Sequence, residues 1–370
     1  MKKIIVLGAG LVGNSIAEDL SKNHNVTSVD VNKDSLKKLK KLKIRVIEAD
    51  VRNKVKLKKI TSNCDLVIGA LPGFLGFETL KNLIKFKKNV VDISFFSEDP
   101  FELDLLAKKN NVIAVVDAGL APGMGNIILG FHNNLMKINS FECLVGGLPI
   151  VRHWPFEYKS VFSPIDVIEE YTRPARYVQN NKLIIKKALS DPEIINFDNV
   201  GSLESWNSDG LRTLLYTMKN IPNMIEKTLR YPGTINFLRA IRDTGFFSHK
   251  EINIKNNSIK PIDFTSKLLF KNWKMNINDK DFTVMRIRIN GTEKNKKITY
   301  EYNLFDKYKN KTTSMARTTG FTCNAISNLI LQNKYQRCGI SPPEYLGEFM
   351  PDIKKYLIER KVKYKKKILK

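Results

Sequence analysis

The residues that decide the fold stand at the start of the chain and read Ile4-Ile5-Val6-Leu7-Gly8-Ala9-Gly10-Leu11-Val12-Gly13. The short apolar run is typical of a strand buried in a parallel sheet. The residues that follow, up to Leu20, place apolar side chains on one face at a helical period. A strand, a glycine-rich turn and a helix in this order let backbone amides and the helix dipole hold a diphosphate.

The three glycines predict a dinucleotide site. Gly8 permits the tight turn, Gly10 the close approach of a phosphate, and Gly13 the close packing of helix on strand. Asp30 ends the second predicted strand roughly 20 residues later, where a carboxylate binds ribose hydroxyls and repels a 2′-phosphate. We therefore expect NAD rather than NADP, the alternative being that Asp30 only caps a helix starting near Lys33. The expected cofactor contacts are Gly8, Ala9, Gly10, Leu11, Val12, Gly13, Asp30, Asp50, Val51, Ala70, Leu71 and Pro72.

The first part of the chain alternates short apolar runs with amphipathic helical patterns. This alternation predicts an α/β fold, with a doubly wound parallel Rossmann sheet and right-handed crossovers. The six predicted strands are Ile4–Leu7, Val26–Asp30, Ile44–Ala49, Leu66–Leu71, Val90–Ile93 and Val112–Val116.

The pattern changes after about Met124. Segments such as Phe282–Ile289 and Ile298–Tyr302 alternate apolar and polar residues, which predicts strands of a mainly antiparallel sheet. Helical character returns from Thr322 to Leu331. We expect a Rossmann domain over 1–123, a second α+β domain over 124–320, and a C-terminal helical segment over 321–370 that packs back on the first domain.

Composition limits the compartment and the partners. No long uncharged apolar run predicts a membrane helix, glycines interrupt the first apolar run too early for a signal peptide, and the four cysteines lie far apart. We expect a cytoplasmic protein with no metal site. The net charge of +25 comes from lysines spread along the chain, so we expect no specific nucleic-acid or membrane partner, and we interpret the densest run, Lys354 to Lys370, as a solvated terminal helix.

Two later predicted strands end in carboxylates, Asp92 and Asp117. Ligands of open α/β sheets bind outside the carboxyl ends of the strands, so these aspartates are candidates to face the reacting centre. The alternative is a structural one, because an aspartate at a strand end often caps the next helix.

Four motifs resemble those of saccharopine dehydrogenase-like proteins, in the same order and over nearly the whole chain. Within that family, the stretches 154–164, 169–175 and 203–212 are similar to the lysine 6-dehydrogenase branch, although Arg152-His153 departs from the loop expected in a saccharopine-forming relative. The motifs are Asp117-Ala118-Gly119-Leu120-Ala121-Pro122-Gly123-Met124, Val145-Gly146-Gly147-Leu148-Pro149, Ser314-Met315-Ala316-Arg317-Thr318-Thr319-Gly320 and Gly339-Ile340-Ser341-Pro342-Pro343-Glu344.

The resemblance implies NAD-dependent oxidative deamination of L-lysine at its ε-carbon by a homodimer. Hydride leaves an amine-bearing carbon only after the ammonium, with an ordinary pKa near 10.4, has lost a proton. A base is therefore required, together with an arginine clamp for the substrate carboxylate. The candidates for catalysis are Asp92, Asp117 and His153, and those for substrate binding are Arg152, Glu157, Tyr158, Asp209, Arg212 and Arg317.

Two other interpretations remain open from the sequence. The nearer is another enzyme of the same superfamily, a saccharopine dehydrogenase or a carboxynorspermidine-type reductase, whose substrates carry more charged groups and so need more clamps. The other is a non-catalytic protein that senses NAD and uses its basic surface for binding. Such a protein would bind polyanions with an affinity that falls steeply with salt.

Overall fold

The computed structural model describes residues 1–276 and 278–369. Its strands are β1 (Lys3–Leu7), β2 (Asn25–Asp30), β3 (Arg45–Glu48), β4 (Leu66–Gly69), β5 (Val90–Asp92), β6 (Ile113–Val115), β7 (Lys137–Pro149), β8 (Ala175–Gln179), β9 (Lys182–Lys186), β10 (Ser190–Phe197), β11 (Gly201–Asn207), β12 (Asn223–Arg230), β13 (Ile252–Ile254), β14 (Asn257–Ile259), β15 (Asp281–Glu293), β16 (Lys296–Lys307), β17 (Gly339–Ser341) and β18 (Tyr364–Leu369).

In the first part of the chain the helices alternate with these strands, and in the second part several strands follow one another between helices. They are α1 (Leu11–Leu20), α2 (Lys33–Lys41), α3 (Lys54–Thr61), α4 (Gly73–Lys85), α5 (Asp104–Lys109), α6 (Met124–Asn133), α7 (Pro164–Thr172), α8 (Leu214–Thr217), α9 (Thr234–Asp243), α10 (Pro261–Trp273), α11 (Ser314–Leu331) and α12 (Met350–Glu359), with 3-10 helices at Pro100–Leu103 and Pro343–Phe349.

The chain divides into two compact units. Unit 1 contains residues 1–135 and 315–363, and unit 2 contains residues 136–314 and those from 364 on. The expected boundary at 123/124 falls just before α6, which packs within unit 1 on the 3-10 helix Pro343–Phe349. The expected boundary at 320/321 falls inside α11, a continuous helix.

Unit 1 is built on a seven-stranded parallel sheet in the order β17-β6-β5-β4-β1-β2-β3. Its strands bury continuous apolar runs, as a parallel sheet covered on both faces requires. One core cluster joins strand residues such as Leu7 and Val67 to Leu80 and Leu83 of α4. Asparagine side chains cap α2 and α3, where Asn32 accepts from the amide of Asp34 and Asn53 from that of Lys56.

Unit 2 contains a nine-stranded, mainly antiparallel sheet. Its main path runs β10-β11-β12-β7-β15-β16-β18, with β8 paired to β12 and β9 to β8. Only the pair β12–β7 is parallel among the strand pairs of this sheet in the described residues. A parallel Rossmann sheet and a second α+β unit confirm the predicted fold class.

The basic C-terminal run corrects one prediction. The helix ends at Glu359, and Tyr364–Leu369 form strand β18, which pairs antiparallel with β16. The helical interpretation is therefore wrong beyond Glu359, because the open edge of the second sheet offers this segment a ladder of backbone partners. Lys366 lies over the Tyr300 ring, with its Nζ 4.1 Å from the ring centroid.

Within residues 1–276 and 278–369, no helix is both long enough and apolar enough to cross a bilayer.

Candidate dinucleotide and substrate sites

The glycine turn between β1 and α1 has the shape that a diphosphate site requires. Gly8 has a φ of +101°, and a Cβ there would lie 2.2 Å from the carbonyl oxygen of Ala70. A Cβ on Gly13 would lie 2.1 Å from the carbonyl oxygen of Gly8. Gly10 is different, because a Cβ there would meet no atom within 4 Å. The chain thus leaves open space above the first turn of α1, where the helix amides attract an anion.

Asp30 lies beside this turn at the end of β2. Its Oδ2 accepts a hydrogen bond of 2.6 Å from the amide of Ala9, and its Oδ1 accepts one of 2.8 Å from the amide of Asn32. The carboxylate therefore orders the glycine turn as well as the sheet edge. The Lys33 ammonium forms an ion pair with Glu48 over 3.3 Å.

The other expected cofactor contacts surround the same edge of the sheet. Asp50 is held by Arg52 through bonds of 2.9 and 2.7 Å to its Oδ2, and the hydrogen bonds from Arg52 hold the pKa of Asp50 below its ordinary value. Val51 is buried. Leu11 is exposed and Val12 half-buried at the start of α1, while Ala70, Leu71 and Pro72 are half-buried after β4. These residues fit a dinucleotide whose diphosphate lies over Gly10.

Asp92 ends strand β5 and Asp117 follows the neighbouring strand β6, and the structure brings the two residues together. The amide of Ala118 donates to the carbonyl oxygen of Asp92 over 2.9 Å. Both aspartates are 2% exposed. The Asp92 Oδ1 accepts from the amide of Ser94 over 2.8 Å, and its Oδ2 lies 1.8 Å from where a Cβ on Gly69 would be. Asp92 thus shapes its own turn. It does not cap the next helix, as the structural alternative expects, because Asp99 caps the 3-10 helix Pro100–Leu103 by accepting from the amide of Phe101 over 2.9 Å.

Asp117 belongs to a tightly folded turn. Gly123 has a φ of +138°, and a Cβ there would lie 1.8 Å from the Gly119 carbonyl oxygen. The amide of Met124 closes the turn by donating to the same oxygen over 3.1 Å. The Ala-Gly-Leu-Ala-Pro-Gly motif therefore forms a tight backbone turn, and this turn fixes the position of Asp117.

The three arginines predicted to bind the substrate lie in different units. Arg317 lies on α11 in unit 1, where its Nη2 donates to the carbonyl oxygen of Arg360 over 3.1 Å and its guanidinium lies 5.5 Å from the Phe321 ring centroid. Arg152 and Arg212 lie in unit 2. Arg212 is buried, and Arg152 is exposed.

Three predicted substrate-binding residues and the predicted catalytic residue His153 lie together on the loop between β7 and α7. The Nε of Arg152 donates to Glu157 over 2.8 Å, and the amide of Glu157 donates to the carbonyl oxygen of His153 over 2.8 Å. His153 is exposed. Tyr158 is only 4% exposed, and burial raises the pKa of its hydroxyl well above the ordinary value. Tyr158 is therefore protonated at neutral pH.

Asp209 and Arg212 lie on the turn that follows β11. The Asp209 carboxylate is buried and accepts two bonds from Arg176, 2.7 Å from its Nε and 2.9 Å from its Nη2. A bidentate pair of this kind fixes both side chains. The hydrogen bonds that Arg176 donates to Asp209 raise the pKa of Arg176.

Backbone strain coincides with three of the predicted residues. Asp117, Glu157 and Arg212 have φ values of +52°, +48° and +45°, in the left-handed region that non-glycine residues rarely occupy. Such strain costs about 1–3 kcal/mol per residue and is concentrated at functional sites. Among the described residues, fourteen other non-glycine residues also have positive φ values, several of them in exposed turns, so the strain does not distinguish these three positions as functional.

Sequence reasoning missed Arg230 and Arg176. Arg230, the last residue of β12, is 2% exposed, and its guanidinium lies 4.3 Å from the Tyr158 ring centroid and 5.2 Å from that of Trp206. Its side-chain partners, such as Tyr158 and Trp206, are distant in sequence, so no local pattern marks the position. Among the described residues, no group of three or more histidine, cysteine, aspartate or glutamate residues could hold a metal ion.

Comparison with known proteins gives two family matches that together cover almost the whole chain. Residues 4–115 match the saccharopine dehydrogenase NADP binding domain, and residues 116–364 match the saccharopine dehydrogenase C-terminal domain.

Individual relatives agree with these matches. The mouse mitochondrial alpha-aminoadipic semialdehyde synthase is 25% identical over 266 residues, which cover 67% of this chain and 29% of the mouse protein. The L-glutamate-forming, NADP(+) saccharopine dehydrogenase of Pyricularia oryzae is 26% identical over 288 residues, 72% of this chain and 63% of that protein. The chain thus spans less than two thirds of the length of these relatives.

A solved structure shows the same fold. Apo saccharopine dehydrogenase (L-Glu forming) from Saccharomyces cerevisiae superposes with a TM-score of 0.81 at 20% identity, covering 100% of both chains.

Proposed function

Because the chain belongs to the saccharopine dehydrogenase family, we propose that it is an oxidoreductase that uses a nicotinamide dinucleotide to act on a carbon–nitrogen bond of an amino acid. The observation that carries the proposal is the turn at Gly8–Gly13, with open space above Gly10 and the carboxylate of Asp30 beside it. When bound, the dinucleotide would supply the hydride acceptor.

The favoured substrate is L-lysine, oxidised at its ε-carbon to the semialdehyde with release of ammonia. The stretches around Trp154, Glu169 and Leu203 support this choice through their similarity to the lysine 6-dehydrogenase branch. The second candidate is saccharopine, which the names of the matched relatives support equally. Both reactions oxidise a carbon that carries nitrogen, and both belong to lysine metabolism.

The chain's own residues provide the proton transfer and the clamps. Asp117, next to Asp92 at the carboxyl edge of the first sheet, is the proposed proton acceptor, and His153 is the alternative. Arg152 is the proposed clamp for a substrate carboxylate because it is exposed on the β7–α7 loop and oriented by Glu157.

A spectrophotometric screen tests the substrate. The purified chain is mixed with NAD or NADP and then with L-lysine, saccharopine, ornithine or a diamine, and absorbance of the reduced cofactor is followed. Turnover with lysine and release of ammonia support the favoured reaction, while turnover with saccharopine and release of glutamate select the second. Absence of turnover with every amine, in either direction, contradicts the proposed function.

We expect that replacing Asp30 with asparagine lowers the preference for NAD over NADP about tenfold, or ~1.4 kcal/mol, since the negative charge facing a 2′-phosphate is lost. Asparagine keeps one acceptor for the amides of Ala9 and Asn32. The measurement is the ratio of kcat/KM for the two cofactors. Glu48→Gln is the matched control, because it removes a charge from the same sheet edge, and it should leave the ratio within twofold. An equal fall for both cofactors in Asp30→Asn would refute the assignment.

A further inference from the structure

The loop between β7 and α7 has a fixed base and an exposed tip. At the base, the Ser160 amide donates to the carbonyl oxygen of Trp273 over 2.8 Å, and the Thr234 hydroxyl donates to the carbonyl oxygen of Phe156 over 3.2 Å. At the tip, Val151 is 61% exposed and Trp154 80% exposed. Val151 is thus exposed to solvent, and the Trp154 ring makes an edge contact with the ring of Phe237, with 6.5 Å between the centroids.

The first end of the loop is fixed by Tyr231, the residue after β12. Its hydroxyl donates a hydrogen bond of 2.8 Å to the carbonyl oxygen of Pro149, the last residue of β7. The face of the same ring carries the guanidinium of Arg152, 4.6 Å from the centroid. A guanidinium over an aromatic face is attracted by the ring quadrupole and loses part of its freedom. Tyr231 therefore sets both where the loop begins and where Arg152 points.

The second end is fixed by Arg230. All three nitrogens of its guanidinium group are engaged: Nη2 donates to Glu170 over 2.9 Å, Nε to the Tyr171 hydroxyl over 3.1 Å and Nη1 to the Leu229 carbonyl oxygen over 3.0 Å. With its nitrogens committed, the guanidinium offers its flat face to Tyr158, 4.3 Å from the centroid. Arg230 thereby joins the end of the loop to α7 and β12.

We infer that Arg230 and Tyr231 are positioning residues that hold the two ends of the β7–α7 loop, so that its tip presents Arg152 to the carboxylate of an amino-acid substrate. The inference rests on the proposed function for the identity of the ligand. Neither Arg230 nor Tyr231 is proposed to contact the substrate. Two adjacent residues at one strand end determine the geometry of a loop that carries three predicted substrate-binding residues and His153.

Tyr231→Phe is the direct test, because it removes only the hydroxyl and leaves the ring under Arg152. The KM for the amino acid should rise roughly fivefold, as loss of one hydrogen bond implies, while kcat and the KM for the dinucleotide stay within twofold. Tyr364→Phe is the matched control in the same unit. Its buried hydroxyl has no hydrogen-bond partner among the described residues, so all three constants should stay unchanged.

Tryptophan fluorescence provides a readout that does not depend on turnover. The chain has three tryptophans, and Trp154 is exposed while Trp206 and Trp273 are buried. The iodide-quenchable emission therefore comes from Trp154 at the loop tip. Its anisotropy should fall in Tyr231→Phe and in Arg230→Met, return part of the way in Arg230→Lys, and stay at the wild-type value in Tyr364→Phe.

The outcomes separate the inference from the proposed function. Unchanged anisotropy in both Tyr231→Phe and Arg230→Met overturns the positioning role, whatever the enzyme does. A fall in kcat with unchanged KM in Tyr231→Phe also overturns it. If the wild-type chain oxidises no amine, the proposed function fails, and the anisotropy alone decides whether the two residues fix the loop.

Discussion

Gly10→Ala should reduce dinucleotide binding about a hundredfold, or ~2.8 kcal/mol, without loss of stability. The φ of Gly10 is −69°, which any residue adopts, and an added Cβ meets no atom of the chain within 4 Å. The methyl group therefore costs the protein nothing. It occupies the space in which a diphosphate would approach the amides of α1, and the closest ion–amide contacts are lost.

Titration calorimetry with NAD and NADP measures this effect, and thermal unfolding supplies the comparison. Gly13→Ala is the control, because its Cβ would lie 2.1 Å from a backbone oxygen and so must disturb the fold itself. We expect a wild-type melting temperature with lost binding in Gly10→Ala, and a lowered melting temperature in Gly13→Ala. Wild-type affinity in Gly10→Ala would mean that the dinucleotide does not lie over this turn.

The two glycines show why this part of the molecule was predictable. The strand, turn and helix are contiguous in sequence. Gly13 packs on Gly8 of the same turn, and Gly10 leaves open space above it. Local pattern therefore determines local structure here. Asp30 was predictable for the same reason, since it ends the strand that pairs with β1.

The missed elements depend on partners that are distant in sequence. Strand β17 has only three residues and exists because β6 offers a parallel edge. Likewise β18 is a lysine-rich segment that becomes a strand on the edge of β16. Arg230 carries no local signal, because Tyr158 and Glu170 reach it from separate segments. Periodicity reports which face of an element is apolar, and it does not report which remote residue will cover that face.

Asp19 is another position whose role only the structure reveals. Its substitution should lower the stability of the fold strongly. It lies on α1, is 3% exposed, and its Oδ2 accepts 2.7 Å bonds from Arg360 and Tyr356 and one of 3.1 Å from Asn324. One carboxylate thus joins the helix that begins at the glycine turn to α11 and α12. Breaking a buried, hydrogen-bonded charge pair costs about 3–5 kcal/mol, because the remaining charge is left without compensation.

We therefore expect Asp19→Asn to lower the free energy of unfolding of unit 1 by about 3 kcal/mol at pH 7. Urea unfolding, with hydrogen exchange of the α1 amides as a local probe, measures the change. Glu78→Gln is the control, since it removes an exposed pair with Lys81 on α4 and should cost less than about 0.5 kcal/mol. A loss below that limit in Asp19→Asn would show that the buried cluster contributes no net stability.

The difference in free energy of unfolding between wild type and Asp19→Asn should decrease at acidic pH. Burial raises the pKa of Asp19, but the hydrogen bonds from Arg360 and Tyr356 outweigh it, so the pKa in the folded chain lies below the ordinary value. A lowered carboxylate pKa adds stability that is fully present above the unfolded pKa, near 3.9, and is lost as the pH falls through the folded pKa. The gap between wild type and Asp19→Asn should be constant from about pH 5 to 8 and shrink below about pH 4. A gap that grew on acidification would show that the carboxyl group is protonated in the folded chain and that Arg360 is held by other partners.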